Sequence, residues 1–288
     1  MNDLALSPSD QIAALDAAAR RHHTPCGEGS VVWRQWGSGP PLVLLHGGSG
    51  SWKHWIRNIP VFARRYTVWA PDLPGFGDSD VPPRPYTIPG LGDYVADGLD
   101  RLVDPAVAVD IAAFSFGAIM CSYVAAQRPE RVRRLAMLGT RFGTSLVKRE
   151  LPMRDWRQAR DEAEWNAILR HNLRTMMLAH DATIDALTLK MYGDDLRRSR
   201  VYSRPLYDHA THMQALARIR RPVLGIMGAL DALAHPDVHS QVGAARAMNP
   251  MFSMELVEDA GHWVQYEAPE RCNELLLRFF NPESETSP

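Results

Sequence analysis

An apolar run over residues 107–114 breaks at Ser115-Phe116-Gly117 and passes into a helical stretch over 118–128 that Pro129 stops. Asp110 is the one charge inside the run. A serine on the sharp turn between a buried strand and a helix is the setting of a nucleophile elbow. The turn lifts the hydroxyl out of the sheet. It also sets backbone N–H groups of the helix N-terminus beside it, where unpaired donors and the helix dipole favour negative charge. Acyl transfer requires that arrangement, an exposed nucleophile next to preorganised donors. The turn reads Ala113-Phe114-Ser115-Phe116-Gly117, against the usual G-x-S-x-G. A core strand that meets a serine-capped helix would look the same locally, so the remainder of the chain has to decide.

The remainder alternates strand and helix. Strand patterns over 31–36, 42–45 and 66–70 are followed by helical ones over 55–62 and 91–103, and then by the elbow and a strand over 135–139. Such alternation implies a mostly parallel sheet flanked by helices, an α/β architecture. The pattern fails over 141–218, where charged helical stretches (155–178, 183–191) rich in Arg, Met and Trp read as an inserted helical cap. Trp156, Trp165, Met176 and Met177 in it are read as packing residues before pocket residues. The core resumes with strands over 223–227 and 252–257 and helices over 238–248 and 269–280. The expected division is an N-terminal arm (1–28), a core (29–140 and 219–288) and the cap (141–218). Ser9 would cap a helix over 10–21 in the arm, packed on the body or on a second subunit, which leaves a homodimer open.

A serine needs a base to take its proton and a third group to orient that base. Two later strand ends supply them: Gly228-Ala229-Leu230-Asp231 and Glu258-Asp259-Ala260-Gly261-His262-Trp263. Ser115, Asp231 and His262 all fall just beyond C-terminal strand ends, where ligands bind in open α/β sheets, and in the chain order of such hydrolases. Thr140 cannot serve as the acid; Asp237 reads as surface and Asp259 as a solvated turn. His235 and His239 read as satisfied polar residues at a helix start, His46 as a brace of the preceding loop, and His22 and His23 as arm residues.

With these motifs the chain resembles the α/β-hydrolase family from about residue 31 to 280. The resemblance is carried by His46-Gly47-Gly48 after a strand, Asp72-Leu73-Pro74-Gly75-Phe76-Gly77-Asp78-Ser79-Asp80, the elbow, 228–231 and Gly261-His262. It implies the α/β-hydrolase fold with a helical cap, with Ser115 as nucleophile, His262 as base and then acid, and Asp231 as its orienter. It further implies an oxyanion hole of the Gly48 and Phe116 N–H groups. The run Gly261 to Glu267 with Asn273 is similar to the C-terminal signature of meta-cleavage product hydrolases, which cleave C–C bonds in vinylogous diketones. Phe114 stands where that branch commonly has Asn, and the loop after the first His-Gly is shorter. Arg141 is a candidate for a substrate carboxylate. Phe114, Phe116 and Trp263 point to an apolar substrate pocket.

The expected activity is therefore hydrolysis of a small, largely apolar ester or related acyl compound. The alternatives are the C–C bond hydrolase, a cofactor-free lyase or oxygenase on the same fold, and a non-enzymatic receptor. Dehalogenase and epoxide hydrolase members use Asp where this chain has Ser115. A formal net charge of -1 gives no reason to expect nucleic acid or anionic membrane as partner. No run of about 18 apolar residues and no basic-then-apolar leader is present, so a cytoplasmic enzyme is expected. Cys26, Cys121 and Cys272 are too far apart for a metal pattern and read as buried free thiols. No cofactor or metal is expected: the 72–80 carboxylates lack calcium-loop spacing, and no G-K-[ST] follows Gly47-Gly48-Ser49-Gly50.

Overall fold

The computed structural model describes residues 6–142, 151–234 and 238–281. Helix α1 (Pro8–Ala17) precedes β1 (Arg20–Cys26), β2 (Gly29–Trp36) and β3 (Pro41–Leu45). Then come the short α2 (Ile59–Phe62), β4 (Thr67–Pro71), α3 (Ile88–Leu102), β5 (Val109–Phe114), α4 (Phe116–Gln127) and β6 (Val132–Leu138). Helices α5 (Glu162–Asn172), α6 (Ala186–Arg197) and α7 (His209–Arg218) follow, then β7 (Val223–Gly228), α8 (Val238–Met248), β8 (Phe252–Val257), α9 (Val264–Glu267) and α10 (Pro269–Phe280).

The strands form one eight-stranded sheet in the order β1-β2-β4-β3-β5-β6-β7-β8. The pairs β1·β2 and β2·β4 are antiparallel, and every pair from β3·β4 to β7·β8 is parallel. Alternate residues of the central strands feed two cores, one on each face. Val43, Leu45, Ile111, Ala113, Leu135 and Met137 pack with α3 and α4. Leu42, Leu44, Ala112, Phe114, Ala136 and Leu138 pack with α2, α10 and the helices between β6 and β7. Burial on both faces is what makes these strands continuous apolar runs in the sequence.

Several local expectations change. The first helix is capped by Ser7, not Ser9, and ends at Ala17. The last residues assigned to it begin β1, an edge strand paired with β2. The helix expected over 55–62 shrinks to a 3₁₀ turn, Trp52–Trp55, and the single turn of α2, with Pro60 as its second residue. A proline is tolerated there but cannot lie deeper in a helix. In the segment between β6 and β7, the described residues contain helices and turns and no strand. Trp156, Trp165 and Met176 pack partly buried against the second core, and Met177 is buried in it. Among the described residues no helix is long and apolar enough to cross a membrane. No group of three or more His, Cys, Asp or Glu side chains among them is placed to hold a metal ion.

Candidate active site

Ser115 is the junction of β5 and α4. Its N–H donates to Leu138 O at 2.8 Å, which ends the strand pairing with β6. Its φ of 49° and ψ of -113° lie in a region that side chains other than glycine avoid. Backbone held so costs on the order of 1–3 kcal/mol and persists only where surrounding packing imposes it. The tightness of the turn shows at Gly117: a Cβ there would lie 2.4 Å from His46 O, so only glycine lets α4 approach the end of β3.

His262 sits after β8 with its side chain buried. Its Nε2 is 3.0 Å from Ser115 Oγ and its Nδ1 is 2.8 Å from Asp231 Oδ2. Asp231, fully buried beyond β7, also accepts the Leu233 N–H on Oδ1 at 2.8 Å. The carboxylate is thus fixed by its own turn and directs one lobe at the imidazole. This bonding fits a proton on Nδ1 and a free lone pair on Nε2 facing the serine. His235 and Asp237, the nearby rivals, lie outside the described residues.

The loop after β3 passes beside the elbow. A Cβ on Gly47 would lie 2.9 Å from the Phe114 ring, and one on Gly48 would lie 3.6 Å from Phe116 Cβ. Two buried histidines shape this loop. His46 Nε2 accepts the Leu73 N–H at 2.8 Å while Nδ1 bonds Gly47 O at 2.7 Å. His54 Nδ1 accepts the Gly47 N–H at 3.2 Å, and its carbonyl accepts the Trp263 indole N–H at 3.0 Å. Burial lowers His46 to about 4, against the opposing pull of Asp72. Burial, then His46 and Lys53, also lowers His54. Both are therefore neutral brackets at ordinary pH. The sequence pointed to His46 in this role; His54 carried no signal of its own beyond lying near the glycine run.

The remaining candidates are engaged differently. Phe114 is buried with its ring 5.0 Å from the His262 ring. Trp263 is buried, stacked on Tyr266 at 4.3 Å, with its N–H spent on His54. Arg141 Nη1 donates to Leu233 O at 3.2 Å and so supports the turn that carries Asp231. The C-terminal signature residues also do structural work. Glu267 accepts the N–H groups of Gly261, Ala179 and His180 at 2.7–2.9 Å, which ties the His262 loop to the segment after α5. Asn273 accepts the Asn58 amide N–H at 2.9 Å.

A model of the alpha/beta hydrolase family matches residues 42–275. The chain belongs to the α/β-hydrolase family. This α/β-hydrolase is 28% identical, across 96% of its length and 70% of the relative's, to the dihydrolipoyllysine-residue acetyltransferase component of the acetoin cleaving system of Pseudomonas putida. It is 26% identical to a soluble epoxide hydrolase of a Corynebacterium strain, over 85% of this chain and 92% of that one. Its fold is that of a Bacillus subtilis carboxylesterase crystal structure, with a TM-score of 0.75 at 21% identity over 94% and 95% of the two chains.

Against the loop after β3 lies the end of α6. Lys53 Nζ is 2.7 Å from Asp195 Oδ1, and Ser51 Oγ donates to Asp195 Oδ2 at 3.1 Å. Burial pushes the Asp195 carboxyl from an ordinary 3.8 up to about 6, with Lys53 and Ser51 opposing. A carboxyl whose folded value is raised favours the fold when protonated. Its contribution is full below about pH 3.8 and declines as pH rises through about 6. Urea titrations of wild type and Asp195→Asn at pH 4 and pH 7 read this out. The wild type is expected to lose about 2 kcal/mol relative to the variant between the two pH values; a constant difference would contradict it.

Proposed function

We propose that this α/β-hydrolase is a serine hydrolase that cleaves a small, largely apolar carboxylic ester or related acyl compound. The observation that carries the reading is the continuous relay Ser115 Oγ–His262 Nε2–Nδ1–Asp231 Oδ2, with links of 3.0 and 2.8 Å, on a strained elbow. Ser115 Oγ attacks the carbonyl carbon as His262 takes its proton, and Asp231 stabilises the imidazolium. The N–H groups of Gly48 and Phe116 receive the oxyanion, each worth about 3 kcal/mol in the transition state. His262 then protonates the departing alcohol. Water repeats the sequence on the acyl-enzyme and frees the acid.

The apolar preference rests on the rings around the nucleophile, with Phe116 6.0 Å from Phe76 and Phe114 against His262. Epoxide opening is disfavoured although a relative carries that name, because Ser115 stands where those family members use Asp. The C–C hydrolase reading gains little, since Arg141 and Glu267 are committed to backbone contacts. The test is turnover of p-nitrophenyl acetate, butyrate and octanoate beside a vinylogous diketone. Saturable hydrolysis of the short esters alone supports the proposal. Cleavage of the diketone alone would replace it with the C–C reading.

A further inference from the structure

The strap that follows α6 lies over the oxyanion loop, and its position is set by the core. Arg200 N–H donates to Gly75 O at 2.9 Å and its guanidinium to Gly77 O at 3.0 Å. Val201 is buried against Gly75, whose Cβ, if present, would lie 2.2 Å from Val201 Cγ2. Ser199 Oγ reaches Ser49 Oγ at 3.4 Å. The strap then delivers Ser203 onto Gly48: a Cβ on Gly48 would lie 2.6 Å from Ser203 Oγ and 3.6 Å from Phe116 Cβ. The Ser203 carbonyl accepts the Leu206 N–H at 3.1 Å, whereas its hydroxyl has no hydrogen-bond partner among the described residues. A donor without a partner therefore rests against Gly48, one of the two residues assigned to the oxyanion.

We propose that Ser203 is a further catalytic residue, whose hydroxyl donates a third hydrogen bond to the oxyanion. The proposal rests on the serine-hydrolase reading above. A tetrahedral oxyanion has room for three donors, and two backbone N–H groups from the core leave one side uncovered. The hydroxyl rotates to meet charge as it develops and keeps its own proton throughout. Because the donor comes from the segment between β6 and β7, seating of that segment on the core completes the hole.

Kinetics on the full chain test this with p-nitrophenyl butyrate as substrate, an alkyl trifluoromethyl ketone as transition-state analogue and a fluorophosphonate as label for Ser115. Ser203→Ala is expected to lower kcat about 10- to 100-fold, with KM within about threefold, and to weaken the ketone Ki by the same factor. Ser203→Thr, which keeps the hydroxyl, is expected to retain most of kcat. Wild-type kcat and Ki in Ser203→Ala would overturn the proposal. So would a fall in kcat and melting temperature with the ketone Ki unmoved, the mark of a purely structural residue. If Ser203→Ala is unimpaired while wild type labels at Ser115, the role of Ser203 alone falls. A wild type that neither labels nor hydrolyses removes the serine-hydrolase reading and this proposal with it.

Discussion

Replacing Ser115 by alanine is expected to lower kcat on p-nitrophenyl butyrate by about 10⁴- to 10⁶-fold while the protein stays folded. His262 Nε2 is aimed at that one hydroxyl at 3.0 Å, and Asp231 is buried behind the ring. Ser115→Gly separates chemistry from stability. It should be as inactive as the alanine variant but more stable than wild type by about 1 kcal/mol, because glycine adopts the φ of 49° without steric cost. Thermal melts and initial rates on the three proteins check both statements. An active Ser115→Ala protein would place the chemistry elsewhere.

The largest stability effect is expected at Arg34. Its side chain is 2% exposed and inserted among three carboxylates. Nε bonds Asp16 at 2.6 Å, Nη1 bonds Asp72 at 3.0 Å, and Nη2 bonds Asp78. Asp72 is itself 1% exposed and accepts the Trp52 N–H at 2.9 Å on its other oxygen. Arg34→Met would leave that carboxylate buried without its cation. We expect a loss of about 3–5 kcal/mol, seen as a fall in melting temperature of roughly 10 °C. Combining it with Asp72→Asn should recover part of the loss, because the unpaired charge is then gone. Burial opposes ionisation of Asp78, but Arg34, Arg198 and Arg21 outweigh it and hold the group below its ordinary range. That contribution is present above about pH 3.8 and fades as pH falls through the lowered value. A Met variant as stable as wild type would mean that the ion cluster contributes nothing net.

These two residues also mark what a sequence can and cannot announce. The elbow was readable because β5 is buried on both faces and stops at small residues around Ser115, a local pattern. Asp231 follows a strand of the same kind, and His262 follows β8, whose burial alternates at its start, so both positions stand just past a recognisable strand end. Strand β1 was not, since its sequence, Arg20-Arg21-His22-His23-Thr24-Pro25-Cys26, is an exposed edge with only Thr24 and Cys26 buried. The partners of Arg34 lie 18 to 44 residues away, and Glu267 meets its partners as many as 88 residues away. Ser203 has no local signal at all, and its place is visible only through the space that Gly48 leaves. Contacts of that range depend on the completed fold, and no local periodicity records them.

The central claim is that Ser115 is an activated nucleophile, and intact mass after incubation with a fluorophosphonate tests it most directly. We predict one covalent adduct on the wild type and none on Ser115→Ala, with the modified peptide containing Ser115. A folded wild type that takes up no adduct, or an adduct that persists in Ser115→Ala, would contradict the claim.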